Sequence, residues 1–198
     1  MAAGTHYDLK LDYKPEELYR VDTGVRKSGP WKLDTTNLII GSTLPVFTPV
    51  QADLKNRTVV PVRNFQVVEA YTTGDSALSI KVKKDSLAYI GMFIGSGKKG
   101  AKVTAVDKSN KDYDVLTIEA AFGENITKDT VLFEATAVGG TAKKNTANFV
   151  LFAEIKVEEG IVLPTLLMQA YEVKIPKLHM PIHELDMKGL TDRFQFEY

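Results

Sequence analysis

The chain has 198 residues with 25 basic and 25 acidic side chains, no cysteine, and both charge signs interspersed. Without cysteine there are no disulfides, no thiolate metal ligands and no thiol nucleophile. The neutral balance argues against nucleic acid as the main partner, which would need a concentrated basic surface.

Residues 1–42 read as an extended N-terminal arm. Over Thr5 to Tyr13, apolar and polar residues alternate and place Tyr7, Leu9, Leu11 and Tyr13 on one face, a period of two that predicts a strand. The opening residues lack the basic and apolar regions of a signal peptide. Pro15 followed by Glu16 and Glu17 fits the start of a short helical turn. Gly24, Gly29 and Pro30 break the chain, and Trp31, the single tryptophan, follows. An aromatic of that size is expected to be docked, on the body of the protein or on a neighbouring subunit.

Residues 43–135 read as a compact β-barrel of short strands rich in Val, Ile and Thr, cut by Gly, Asp, Asn and Lys turns. Ala77 to Val82 alternates cleanly, and Lys102–Val106 and Tyr113–Ile118 flank a polar turn at residues 107–112, which predicts a hairpin with a long loop. Residues 136–148, with Gly139-Gly140 and Lys143-Lys144-Asn145, read as a linker. Residues 149–198 form a mixed C-terminal segment that completes a sheet or an interface. In its last stretch Phe194, Phe196 and Tyr198 alternate with polar residues, which predicts a strand added to this chain's sheet or to a neighbour's. The fold class is therefore mainly β, a compact barrel with extended N-terminal and C-terminal arms, and no apolar run reaches the roughly 20 residues of a membrane span.

Chemistry-bearing motifs are weak. Gly95-Ser96-Gly97-Lys98-Lys99-Gly100 resembles a phosphate loop, but Met92 stands where the motif needs its first glycine and Lys99 where it needs Ser or Thr. A tight glycine-rich hairpin is the better reading. His179 and His183 are four apart, near Glu184 and Asp186, but Pro181 between them spoils a regular helix. No Gly-x-Ser-x-Gly elbow occurs. Asn56-Arg57-Thr58 and Asn125-Ile126-Thr127 match the glycosylation pattern by chance in a chain with no secretory signal. The reading assigns no catalytic, cofactor or metal residues. It assigns an interface instead, to Tyr7, Leu9, Leu11, Tyr13, Trp31, Phe194, Phe196 and Tyr198, because aromatic residues are enriched where proteins meet. The surplus of aromatics in the arms predicts a homo-oligomer, with residues 1–33 docking on a neighbour. The alternative is that these residues complete one core.

Several blocks resemble bacteriophage head-fibre or head-decoration proteins, similar to those of phages of Bacteroides-type gut bacteria. They are Leu33-Asp34-Thr35-Thr36-Asn37, Gly41-Ser42-Thr43-Leu44-Pro45, Val67 to Gly74, Gly91-Met92-Phe93-Ile94-Gly95, and Ala121 to Ile126. The resemblance is strongest over residues 34–135 and implies a decoration-protein-like, β-tulip-like barrel. It also implies a structural, non-enzymatic virion protein, made in the host bacterial cytoplasm and placed on the outer capsid surface. The implied partners are the major capsid protein, other capsid accessory or fibre proteins, and further copies of itself in a homotrimer, with no nucleic acid, membrane or cofactor. Two other classes compete with it: a host-surface or glycan-binding adhesion module of a phage, and an enzyme dependent on His183 or Asp186.

Overall fold

The computed structural model describes residues 17–74 and 77–198. In chain order the elements are β1 (Arg20–Lys27), β2 (Lys32–Leu33), β3 (Thr43–Leu44), β4 (Pro49–Asp53), β5 (Thr58–Pro61), β6 (Asn64–Gln66), β7 (Ser79–Lys83) and β8 (Phe93–Gly95). They continue as β9 (Gly100–Asp107), β10 (Tyr113–Ile118), β11 (Val131–Ala135), β12 (Phe149–Leu151), β13 (Ile155–Lys156), β14 (Leu166–Lys174), α1 (Glu184–Leu190) and β15 (Phe194–Glu197).

One sheet of six strands runs in the order β6-β11-β8-β9-β10-β7. Its inner face follows from the period-two pattern: Ile80 and Val82 of β7 and Leu116 and Ile118 of β10 are buried, with polar neighbours between them. Those side chains pack with Phe65, Met92, Ile94, Val103, Phe122 and Leu132 into one core. The hairpin predicted around residues 107–112 is present between β9 and β10. Its loop is held by side-chain turns in which Asp107 Oδ1 accepts from Ser109 N and Asn110 Oδ1 from Asp112 N. The sheet curls until its outer strands come together at the bridge Val67↔Val82, where Val68 N also donates to Lys81 O. They do not pair along their length as a closed barrel would.

The second sheet runs β1-β14-β12-β4-β5-β2, with β15 parallel to β14. It is assembled from residues 20–61 and 149–197, so β4 and β5, which the sequence reading placed with residues 64–135, hydrogen-bond instead with β12 and β2. The reason is long-range. Val50 of β4 pairs with Phe149 of β12, and no local pattern specifies a partner so far along the chain. At its centre, around β12 and the start of β14, this sheet is covered on both faces, whereas β1 has no buried residue. Leu33, Val50, Val59, Phe149, Leu151 and Leu166 face one core. Phe47, Val150, Leu167, Ala170, Val173 and Phe194 face another. Burial on both faces explains why Phe149-Val150-Leu151 is continuously apolar rather than alternating. A separate two-stranded ladder joins β3 and β13.

Residues 136–148 are packed rather than loose. Ala147 is fully buried, and the Asn148 side chain both donates to Ala52 O (2.9 Å) and accepts from Ala52 N (2.8 Å). Gly140 sits against the β8–β9 hairpin so closely that a Cβ there would lie 2.1 Å from Lys99 O, and its φ is +64°. Its carbonyl accepts from Gly97 N at 2.9 Å. A Cβ at Gly95 would meet Gly140 O at 2.4 Å, and one at Gly100 would meet Gly140 Cα at 2.5 Å. The glycine-rich run 95–100 thus serves backbone-on-backbone packing.

A buried charge seam and the candidate interaction surface

Arg63 and Asn64 lie where the chain crosses from β5 in one sheet to β6 in the other. Both are buried, and each anchors half of a polar seam between the sheets. In the first half, Asp186 of α1 is fully buried and accepts from Asn64 Nδ2 (2.8 Å), Ala147 N (2.9 Å), His183 N (3.3 Å) and Lys143 Nζ. Lys143 also donates to Asn64 Oδ1 at 2.8 Å, and its side chain is 3% exposed. Burial pushes the Lys143 ammonium below its ordinary value, and the Asp186 carboxylate pulls it back part of the way. In the second half, Glu134 of β11 accepts from Tyr89 Oη (2.7 Å), Lys144 Nζ (2.9 Å) and Arg63 Nη1 (3.2 Å). Burial alone would raise the Glu134 carboxyl, but hydrogen bonds from Lys144 and Tyr89 and the charges of Arg63 and Lys144 together hold it low. Arg63 Nη2 reaches back to Thr36 O at 2.8 Å, and the guanidinium lies 5.0 Å from the Tyr89 ring centre. The Lys143–Asp186 pair is sealed from solvent and cannot touch a substrate. Its chemistry is that of a clasp, in which each charge is tolerated only because the other is present.

This seam is the buried polar feature that sequence reading missed. One signal was available: Glu134 is a lone acid inside the apolar run Val131-Leu132-Phe133-Glu134-Ala135, and a charge in a buried strand needs a buried partner. The helix α1 was also unread, although His183 and Asp186 form a reciprocal cap at its start. His183 Nδ1 accepts from Leu185 N at 3.0 Å, and the ring stands edge-on to Phe133 with centroids 5.0 Å apart. Burial, aided by the Lys143 charge, lowers the His183 imidazole from its ordinary value. His179 is 48% exposed at its side chain and faces Asp85, Nε2 to Oδ2 at 3.6 Å. The two imidazoles therefore have different tasks, and among the described residues no three His, Asp or Glu side chains are grouped to hold a metal ion.

The interface residues named from sequence separate into three groups. Tyr7, Leu9, Leu11 and Tyr13 lie outside the described residues. Trp31 is 2% exposed, packed 6.4 Å from Phe149 between ring centres with Arg57 above it. Phe194 is likewise in this chain's own core, edge-on to Phe47, with Phe196 stacked beside it. Tyr198 alone of the described four is fully open, at 92% exposure. Other apolar side chains reach solvent on connected loops. Ile39 and Ile40 sit on one loop and Ile161 and Leu163 on another, and the segments carrying them are tied by Gly41 N to Val157 O and Leu33 N to Val162 O.

In comparison with known families, residues 3–193 match a phage family described as head fiber protein. No curated protein and no solved structure matches the chain.

Proposed function

The chain belongs to the phage head fiber protein family, and from that premise we propose that it decorates the outer surface of the capsid. Its family makes it a structural component of the virion. The observation that carries the proposal is the span of the match, residues 3–193, which takes in the seam and every strand but β15. In this reading the protein is a homotrimer bound to the major capsid protein, alongside other accessory or fibre proteins. It stabilises the shell or presents a binding surface, and it performs no catalysis.

The physical features fit a rigid structural part. The central strand β12 of the second sheet is buried on both faces, and the two sheets are joined by fully satisfied carboxylates rather than by a flexible linker. Partner contacts are assigned to exposed apolar side chains such as Ile39, Ile40, Ile161 and Leu163, and to Tyr198. The curled six-stranded sheet is read as the barrel of a decoration protein.

The test is labelling of intact phage with an antibody to the purified protein, followed by electron microscopy. Gold particles on the outside of DNA-filled heads support the proposal. Labelling confined to tails, or seen only after the heads are broken open, refutes it. Native mass spectrometry should show a trimer; monomer alone at high concentration would remove the trimer from the account.

A further inference from the structure

We propose that Lys143 and Asn64 join in an intramolecular isopeptide bond, formed by the chain itself with Asp186 as the proton carrier. The charge pair described above is then the state before reaction. The side chains of an amine, a carboxamide and a carboxylate meet in one sealed place, and each touches the other two. Lys143 Nζ donates to Asn64 Oδ1 at 2.8 Å and to Asp186 Oδ2, and Asn64 Nδ2 donates to the same Asp186 oxygen at 2.8 Å. The carboxamide is fixed in this orientation by its partners. Two acceptors, Asp186 Oδ2 and Pro181 O (2.9 Å), face Nδ2, and a donor faces Oδ1. A carbonyl bond is about 1.2 Å long, so Nζ stands within about 4 Å of the Asn64 Cγ that it would attack. A small displacement brings it to the roughly 3–3.5 Å of a near-attack geometry.

The surroundings favour the reaction. Asn64, Lys143 and Asp186 are shut off from water, and the fully buried Phe133 ring walls the site, its centre 5.9 Å from Nζ. Burial also disfavours the ammonium form of Lys143, the direction that frees its lone pair. In the reaction Asp186 takes one ammonium proton. The Nζ lone pair then bonds to Cγ, and the Cγ–Oδ1 π pair moves onto oxygen. Asp186 passes a proton from the new bond's nitrogen to Nδ2. The oxygen pair returns, the Cγ–Nδ2 bond breaks, and ammonia leaves. Of the three ammonium protons, one stays on the new amide, one departs with ammonia and one remains on Asp186. Nothing is oxidised or reduced. A buried ion pair is exchanged for a neutral amide and a neutral acid, which removes the cost of holding two charges out of water. Each chain reacts once, on itself, so no external substrate is turned over.

The position of the bond gives it a mechanical meaning. Asn64 opens β6, and Lys143 follows β11, so the bond closes a covalent ring around the whole six-stranded sheet. The other sheet is built from residues on either side of that ring, 20–61 and 149–197. Tension along the chain between these two parts would run through the bond and bypass the six-stranded sheet. This inference does not depend on where in the virion the protein sits.

The test is the intact mass of purified full-length protein, followed by tryptic peptide sequencing. The expected mass is the sequence mass less one ammonia, with a branched peptide joining the fragment that begins at Asn64 to the fragment spanning Lys143. Full sequence mass after prolonged incubation of the folded protein overturns the proposal. Loss of ammonia without the branched peptide also overturns it, because an asparagine that cyclises on its own backbone loses the same mass. Lys143→Arg, which keeps the charge but lacks the amine, should retain its full sequence mass, and so should Asp186→Asn. A branched peptide in Asp186→Asn would remove Asp186 from the reaction. The parent's mass and branched peptide decide the bond even if a variant fails to fold.

Discussion

Replacing Lys143 by methionine removes one charge from the sealed half of the seam and leaves the other in place. The Lys143 and Asp186 side chains are 3% and 0% exposed, so water cannot take over the missing contact. Asp186 would keep Asn64, Ala147 and His183 as donors but lose its counter-charge. Removing one partner of a buried pair costs about 3–5 kcal/mol. For a chain of this size that corresponds to a fall in Tm of about 6–20 °C. Urea denaturation and thermal scans of Lys143→Met measure it directly. The double variant Lys143→Met/Asp186→Asn should recover part of the loss, with a coupling of at least about 1 kcal/mol, because the neutral amide that replaces the carboxylate leaves no unpaired charge. A loss below about 1 kcal/mol for Lys143→Met, or strict additivity in the double variant, would refute the assignment of the seam as a clasp.

Further expectations follow from the same geometry. Gly140→Ala should destabilise by about 1–3 kcal/mol from overpacking against Lys99 and Gly100, with roughly 1 kcal/mol more from the positive φ, whereas Gly139→Ala, which meets nothing within 4 Å, should match the parent in urea midpoint. Trp31→Ala should cost about 3–5 kcal/mol of folding stability, and deletion of residues 1–33, which removes β1, β2 and Trp31, should abolish cooperative unfolding by circular dichroism; a deletion variant with unchanged stability would place the N-terminal arm outside the core. The neutral His183 ring caps α1, and its folded-state value lies below the ordinary 6.5, so below 6.5 the unfolded chain binds more protons and stability falls with pH until the folded-state value is passed. His183→Asn, which can cap without titrating, should show a smaller loss of urea midpoint between about pH 7.5 and about pH 5.5 than the parent does.

The strands of the six-stranded sheet were the most readable part of the chain, because one face is buried and Ile80, Val82, Leu116 and Ile118 record that alternation directly. The β9–β10 hairpin was readable from its Asp107 and Asn110 turn chemistry. The strand at residues 194–197 was readable from its alternating aromatics, though not its parallel pairing on β14. What the sequence hid was partnership. Val50 pairs with Phe149, and Asn64 and Lys143 meet at Asp186, through contacts between residues far apart in sequence. Trp31 shows the same limit: its size predicted docking, but nothing local distinguished Phe149 of its own chain from a neighbour's surface. Residues 136–148 read as a linker from their loop-forming composition, and only the buried acids Asp186 and Glu134 make Lys143-Lys144 otherwise.

The most direct test of the central claim is a cryo-electron microscopy reconstruction of the intact phage head at a resolution that separates strands. The account predicts density for a two-sheet body on the outer face of the shell, with side-chain features of this sequence in contact with the major capsid protein. A head whose outer surface is fully explained by other proteins, with this chain found in the tail or inside the shell, would contradict it.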